Sequence, residues 1–447
     1  MRILKILLGL LLVCIIGVMV YFYPRLPILT GYAAKMACSC TYISKASPET
    51  IKSQDLNFFP ISLAGVSFDN ANKKTRASLF GMKPMTAQYR PGLGCVLIND
   101  NEKLKNSFVK KPQDNNNLDT IAFPYGKKEL VHLTKATNAP ALDIAFELAF
   151  DQGESFEKRT RALVVLHNDS LIKEAYAPNF DKESLLLGWS MTKSICNTLY
   201  GIMVKDGRID IKEKAPISSW QQDERSNITL HDLLQMQSGL AWDEDYFNWS
   251  DVTAMLYIEP SVYEVGIKNP AAYPPGSHWN YSSGTTNILS GILKKQFTND
   301  EDYLSFPKER LFNPLGINAQ LEADAEGNYI FSSYGFMSAR DWSKLGLLYL
   351  NDGVWNGQRL LPEGWVKYST TPASNATNGI YGAQIWLNSN GAMFDKAPHD
   401  MFFFSGFQGQ YVFVIPSKNL VIARIGLSHQ PDLINEVISI IVDAVGK

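Results

Sequence analysis

Two apolar hairpin signals, one on each side of a long helical block, constrain the fold more than any other feature of this chain. Arg161–Val165 and Leu171–Tyr176 are strand-like runs joined through the turn residues His167-Asn168-Asp169-Ser170. Gln410–Ile415 and Leu420–Ile425 repeat the pattern around Pro416-Ser417-Lys418-Asn419. Ala141–Phe150 fits a helix before the first hairpin, and Asp432–Val445 an amphipathic helix after the second. Between the two hairpins, helical patterns dominate to about residue 320. Among them is Ile228–Gly239, with Thr229 as N-cap, Asp232 three positions on and Gly239 as the stop. A sheet with one apolar face must be covered. The order helix, hairpin, helical block, hairpin, helix therefore predicts an α+β fold: an antiparallel sheet flanked by helices, with an inserted all-helical region.

The N-terminal part reads differently. Ile6–Tyr23 carries no charged residue, and at about 1.5 Å per residue it nearly spans a hydrocarbon core of about 30 Å. Residues 1–23 are expected to be a single-pass membrane anchor. Arg2 and Lys5 would hold the N-terminus in the cytoplasm, with the body of the protein on the periplasmic side of the inner membrane. A cleaved signal peptide and secretion is the alternative. Residues 24–135 read as a linker, to about residue 60, and then a small β-rich extension with strands near 63–68, 75–80 and 91–98. The polar stretch Asn99–Asp119 separates it from the main domain, 136–447. Of five cysteines, Cys14 lies in the apolar segment and Cys196 in an apolar helix. Export would permit one disulfide, joining Cys95 to Cys38 or to Cys40, and the sequence leaves both open. Lys plus Arg (42) nearly balance Asp plus Glu (44), with no basic stripe, so nucleic acid is not an expected partner. The six histidines show no metal-ligand spacing, and no metal or cofactor is expected. Oligomeric state leaves no mark in the sequence.

Three stretches could carry chemistry. Ser-x-x-Lys occurs five times, at Ser107, Ser155, Ser170, Ser190 and Ser305, so context must choose. Only Ser190 follows an apolar run ending in Gly188-Trp189 and precedes Ile195, Leu199, Ile202 and Met203 at helix-face spacing. It would stand at the start of a buried helix, where the backbone N–H and the helix dipole favour developing negative charge. Lys193 would lie one turn on, and a desolvated lysine can lose its proton and serve as a base. The plainer reading makes Ser190 an N-cap and Lys193 a surface residue. In the second stretch, a Pro274-Pro275-Gly276 turn leads through aromatics to Tyr281, at the start of a helix near Ser283. A core aromatic is its plainer reading. In the third, Gly406-Phe407-Gln408-Gly409 enters an apolar strand, where glycine permits close backbone approach to a ligand, or simply a turn. Trp242 and Tyr246, in Trp242-Asp243-Glu244-Asp245-Tyr246, could form a substrate-facing wall or an ordinary surface loop. Gly-x-Ser-x-Gly is absent, which excludes an α/β-hydrolase elbow.

Together, Ser190-Met191-Thr192-Lys193, Tyr281-Ser282-Ser283 and Gly406-Phe407-Gln408-Gly409 resemble the motif set of the serine β-lactamase and penicillin-binding superfamily. The resemblance runs from about Ala141 to Lys447. It is closest to the class C-like branch of carboxylesterases and 6-aminohexanoate-dimer hydrolases, with further likeness at Ile228–Leu240 and Tyr334–Asp341. It implies that Ser190 attacks an ester or amide carbonyl. Lys193 and Tyr281 would relay protons, with Tyr281 as a phenolate favoured by the Lys193 charge. The backbone N–H groups of Ser190 and Gln410 would form an oxyanion hole, and Ser283, Phe407, Gln408 and Gly409 would touch the substrate. Two departures matter. Phe407 stands where β-lactam-recognising members place Lys or His, and Ser283 replaces the usual Asn. Both favour an esterase or linear-amide hydrolase over a β-lactamase or D-Ala-D-Ala peptidase. A catalytically idle envelope-binding protein of the same fold is the remaining alternative.

Overall fold

The computed structural model describes residues 2–98, 120–133, 137–153 and 157–446. The stretch Asn99–Asp119 with Ser107, and Ser155, lie outside the described residues. The chain opens with helix α1 (Arg2–Phe22) and, after a short turn, helix α2 (Leu26–Tyr42). Among the described residues no helix is long and apolar enough to cross a membrane, so the expected N-terminal anchor is not supported. Ile3, Leu4, Leu7 and Leu8 of α1 are exposed.

Helix α2 replaces much of the expected linker. Every residue from Thr30 to Cys40 is buried, so the helix is enclosed on all sides rather than amphipathic. Small residues allow this. A Cβ on Gly31 would stand 2.7 Å from the Tyr257 carbonyl oxygen. The polar residues that made the stretch read as linker are neutralised inside: Lys35 pairs with Glu322, and Ser39 donates to Glu322 Oε1 at 3.0 Å. α2 lies on a four-stranded antiparallel sheet of β1 (Gly65–Asp69), β2 (Lys74–Leu79), β3 (Met82–Arg90) and β4 (Gly94–Ile98), in sequence order. Cys38 on α2 is bonded to Cys95 on β4, which settles the open pairing; Cys40 is buried and unbridged.

The main domain follows the expected order. Helix α3 (Ala139–Ala149) precedes the hairpin β5 (Thr160–His167) and β6 (Ser170–Tyr176). Its turn residues Asn168 and Asp169 have φ of +48° and +57°, as a two-residue primed turn requires. The helical block includes α4 (Thr192–Lys205), α5 (Leu230–Leu234), α6 (Ser283–Lys294) and α7 (Ala339–Leu350). In α5 the capping box of Thr229 and Asp232 is present, but the helix stops well before Gly239, because Met236 is already left-handed at φ +59°. Strands β7 (Trp386–Leu387), β8 (Phe402–Gly406), β9 (Gln410–Ile415) and β10 (Leu420–Gly426) precede helix α8 (Pro431–Ala444).

The two hairpins meet in one six-stranded antiparallel sheet, ordered β7-β8-β9-β10-β5-β6. Across the β10–β5 seam Ile422 opposes Val165 and Ala423 opposes Val164. Alternate residues serve opposite faces. Leu163, Val165 and Ile422 pack under α3 and α8 with Phe146 and Ile438. Val164, Leu166 and Val412 pack under the helical block with Leu345 and Leu348. The candidate site forms at the C-terminal end of β8, past the short edge strand β7, which pairs only with Phe402 and Phe403.

Candidate active site

Ser190 is half-buried in a single 3-10 turn, Trp189–Met191, that leads into α4. Trp189 has φ of +48°, a strained conformation for a bulky residue that the surroundings must impose. Gly188 N donates to Gly335 O (2.9 Å), and the Thr192 hydroxyl links Trp189 O (2.7 Å) to Gly335 N (3.0 Å). On the other side the turn meets β8 so closely that a Cβ on Gly406 would lie 2.1 Å from Gly188 O. The turn is thus clamped between two backbones, which fixes where the hydroxyl points.

Lys193 projects from the first turn of α4 into the interior and is 1% exposed. Its ammonium donates to Ser190 Oγ (3.1 Å), Ser283 Oγ (3.0 Å) and Ser332 O (2.9 Å). These use all three of its protons. Burial pulls its pKa down to about 8, while the Glu244 carboxylate holds it from falling further. Tyr281 stands just before α6, with its ring against Tyr381 and Trp386 at centroid distances of 5.7 and 5.2 Å. The Lys193 nitrogen lies 4.8 Å from its ring centroid. Burial first, and the Glu244 charge second, push the Tyr281 phenol well up; hydrogen bonds with Ser190 and Trp386 bring it back only in part. These directions make Lys193, rather than a Tyr281 phenolate, the group that loses its proton first.

Ser283 opens α6 and touches both charged partners. Its hydroxyl accepts from Lys193 and donates to Glu244 Oε1 at 2.5 Å, while its backbone N–H donates to Glu244 Oε2 at 2.8 Å. The Tyr246 hydroxyl donates to Glu244 Oε1 (3.2 Å) and lies 3.4 Å from Ser283 Oγ. The Trp242 indole N–H also donates to Glu244. The sequence reading missed Glu244 as a site residue. It sits in an acidic run, Asp243-Glu244-Asp245, and nothing in the spacing marks which member turns inward.

The Gly-rich stretch is the turn between β8 and β9, with Gly406 ending one strand and Gln410 starting the next. Gln408 and Gly409 take φ of +61° and +76°. The Gln410 side chain braces the turn, donating to Phe407 O (3.0 Å) and Gly426 O (2.5 Å) and accepting from Gly426 N (3.0 Å). Buried Arg424 donates to Gly409 O at 2.6 Å. Phe407 packs edge-on to Trp189 (5.6 Å) and stacks on Tyr246 (5.8 Å). Ser190, Lys193, Tyr281, Ser283, Trp242, Tyr246 and Phe407 therefore converge, whereas the Gln408 carbonyl faces inward to Gln410 and Arg424.

Comparison with known proteins agrees with the fold. A curated relative, the 6-aminohexanoate-dimer hydrolase of Paenarthrobacter ureafaciens, is 22% identical over 307 residues, covering 62% of this chain and 74% of its own. A solved penicillin-binding protein homolog from Caulobacter crescentus superposes with a TM-score of 0.52 at 15% identity, over 68% of this chain and 97% of its own. A family VIII carboxylesterase gives a TM-score of 0.51 at 14% identity, over 71% of this chain and 99% of its own. The Beta-lactamase family model matches residues 156–431, well over half of the sequence and the whole span from β5 to β10. The chain therefore belongs to the Beta-lactamase family, a family of hydrolases.

Proposed function

We propose that the protein is a serine hydrolase that cleaves a small-molecule ester or linear amide through an acyl-enzyme on Ser190. The observation that carries this reading is the buried Lys193 amine, 3.1 Å from Ser190 Oγ and with a pKa drawn down to about 8. Neutral Lys193 takes the hydroxyl proton as Ser190 Oγ bonds to the substrate carbonyl carbon. The tetrahedral oxyanion is held by the backbone N–H groups of Ser190 and Gln410, each such donor being worth about 10²–10³ in rate. Collapse breaks the bond to the alcohol or amine, which takes a proton passed from Lys193 through the Tyr281 hydroxyl. Water, deprotonated by the same pair, then attacks the acyl-enzyme and frees Ser190.

Phe407 supports an uncharged substrate at this end of the site. It presents a ring stacked on Tyr246 where a carboxylate-bearing β-lactam would need a cation. The test is to incubate the full chain with p-nitrophenyl acetate, with nitrocefin and with a fluorophosphonate probe. Ester turnover and labelling should both appear, and Ser190→Ala should remove labelling and cut turnover by about 10³-fold or more. Nitrocefin hydrolysis faster than ester hydrolysis would sink the reading in favour of a β-lactamase. Neither turnover nor labelling would leave a binding protein.

A further inference from the structure

A cavity of about 650 Å³ lies against the Ser190 turn, and most of its wall comes from outside the residues matched by the family model. The end of α1, the first turns of α2 and the segment Phe58–Leu63 form one side; Trp189, Tyr246, Tyr257 and Phe407 form the other. Its volume falls in the about 300–1,000 Å³ range of small-molecule sites. The lining is mostly aromatic and aliphatic, with Asn248 its one amide and Arg25 its one charged side chain among the described residues. Arg25 is already committed, with its guanidinium 3.9 Å from the Tyr21 ring centroid and a hydrogen bond to Tyr21 O.

The cavity shares the walls Trp189, Tyr246 and Phe407 with the candidate site, while Ser190, Lys193 and Tyr281 stand behind them rather than in its lining. Trp189 is the residue before Ser190, and Tyr246 reaches Ser283, which holds Lys193. The polar atom that Tyr246 could offer is spent on Glu244. Its mouth is rimmed by apolar side chains left in water, Phe59 at 81% and Phe247 at 86% exposure, with Trp249 and Leu63 beside them. Exposed apolar surface grouped at a cleft marks a binding site rather than ordinary surface. Beyond Arg25, the Asn248 amide and tyrosine hydroxyls, a polar or charged substrate would find little to hydrogen-bond there, and an unbranched hydrocarbon would lose only water.

We infer that this cavity binds the hydrocarbon chain of the substrate, so that the preferred substrate is an ester or amide bearing a long apolar acyl or alkyl chain. The inference rests on the Ser190 reading for its chemistry and on the cavity alone for its ligand.

Two ester series test it on the full chain. One varies the acyl group, as p-nitrophenyl acetate, butyrate, octanoate and laurate; the other varies the alcohol, as methyl, butyl and octyl acetate followed by proton release. One series should show kcat/KM rising roughly fourfold per added methylene until the cavity is filled, about 10²-fold from butyrate to octanoate. The series that rises tells which side of the carbonyl enters. Leu29→Trp, which fills the cavity from α2, should bring the octanoate-to-acetate ratio close to one. Leu63→Trp on the exposed rim should do the same if the first variant does not fold. Fluorescence titration with cis-parinaric acid reads the ligand site without turnover and should saturate in the native chain and weaken at least tenfold in Leu29→Trp. Flat dependence in both series, with Ser190-dependent acetate turnover intact, overturns the chain-binding site and leaves the hydrolase. Parinaric acid binding that Leu29→Trp removes, with no ester turned over, keeps the chain site and overturns the hydrolase. Failure of both overturns both.

Discussion

Replacing Glu244 by Gln should move the acid limb of the pH–rate profile rather than abolish activity. The amide keeps the shape and can still accept from the Ser283 hydroxyl, but removes a negative charge close to Lys193. The Lys193 nitrogen and the carboxylate are joined through Ser283 Oγ by legs of 3.0 and 2.5 Å, so they stand no more than about 5.5 Å apart. At an effective dielectric of about 20, two unit charges at that distance attract by about 3 kcal/mol, or about two pKa units. The anion favours the ammonium, so removing it lowers the lysine pKa further. Lys193 starts at about 8, held down by burial and held up by Glu244. In the native enzyme kcat/KM should fall as pH drops through about 8, because the protonated amine cannot accept the Ser190 proton. In Glu244→Gln the same limb should lie near pH 6 by the two-unit estimate. The assay is kcat/KM for a p-nitrophenyl ester of its preferred chain length from pH 5 to 10, with Ser190→Ala as blank. A limb that stays within a few tenths of a unit would falsify the assignment of Lys193 as the titrating base.

Three further outcomes follow from the geometry. Tyr281→Phe removes the hydroxyl that bonds Ser190 while keeping the ring against Trp386; it should lower kcat by about 10²–10⁴ with little change in the thermal midpoint. Gly406→Ala places a methyl 2.1 Å from Gly188 O, so the Ser190 turn must shift. Stopped-flow acylation should slow at least tenfold while octanoate-ester KM changes less than threefold, and unaltered acylation would contradict the clamp. Glu322→Ala leaves Lys35 buried without its partner and should destabilise the fold by about 3–5 kcal/mol in urea titration. A loss under 1 kcal/mol would mean that water reaches the pair.

The parts of the fold read most closely from sequence were those with a period or a turn signal. The two hairpins, α3, α6 and α8 fall within a few residues of the expected bounds, because alternation, turn residues and caps are local properties. Ser190 and Lys193 were legible because one turn of spacing at a helix start puts them on a common face, and Tyr281 because the Pro274-Pro275-Gly276 turn leads to it just before another helix. Helix α2 was not legible. A helix buried on every side has no polar stripe, and the partner that Lys35 and Ser39 share, Glu322, lies far along the chain. Glu244 was hidden for a similar reason: its inward turn depends on the Ser283 N–H and the Trp242 indole, neither of which a local window relates to it.

The Lys35–Glu322 pair also sets an order of events during synthesis. The two residues are separated by 287 positions. At about 5–20 residues per second, the ribosome takes roughly a quarter of a minute to a minute to make the second after the first. Throughout that interval α2 has emerged with its inward-facing lysine and serine unmet. Its sheet is ready much sooner, since β4 ends at Ile98, and in an oxidising compartment the Cys38–Cys95 bridge would pin α2 to that sheet before the rest of the protein exists. Formed there, the bridge would act as an early fastening, holding an unfinished surface in register until the carboxylate that Lys35 and Ser39 share arrives.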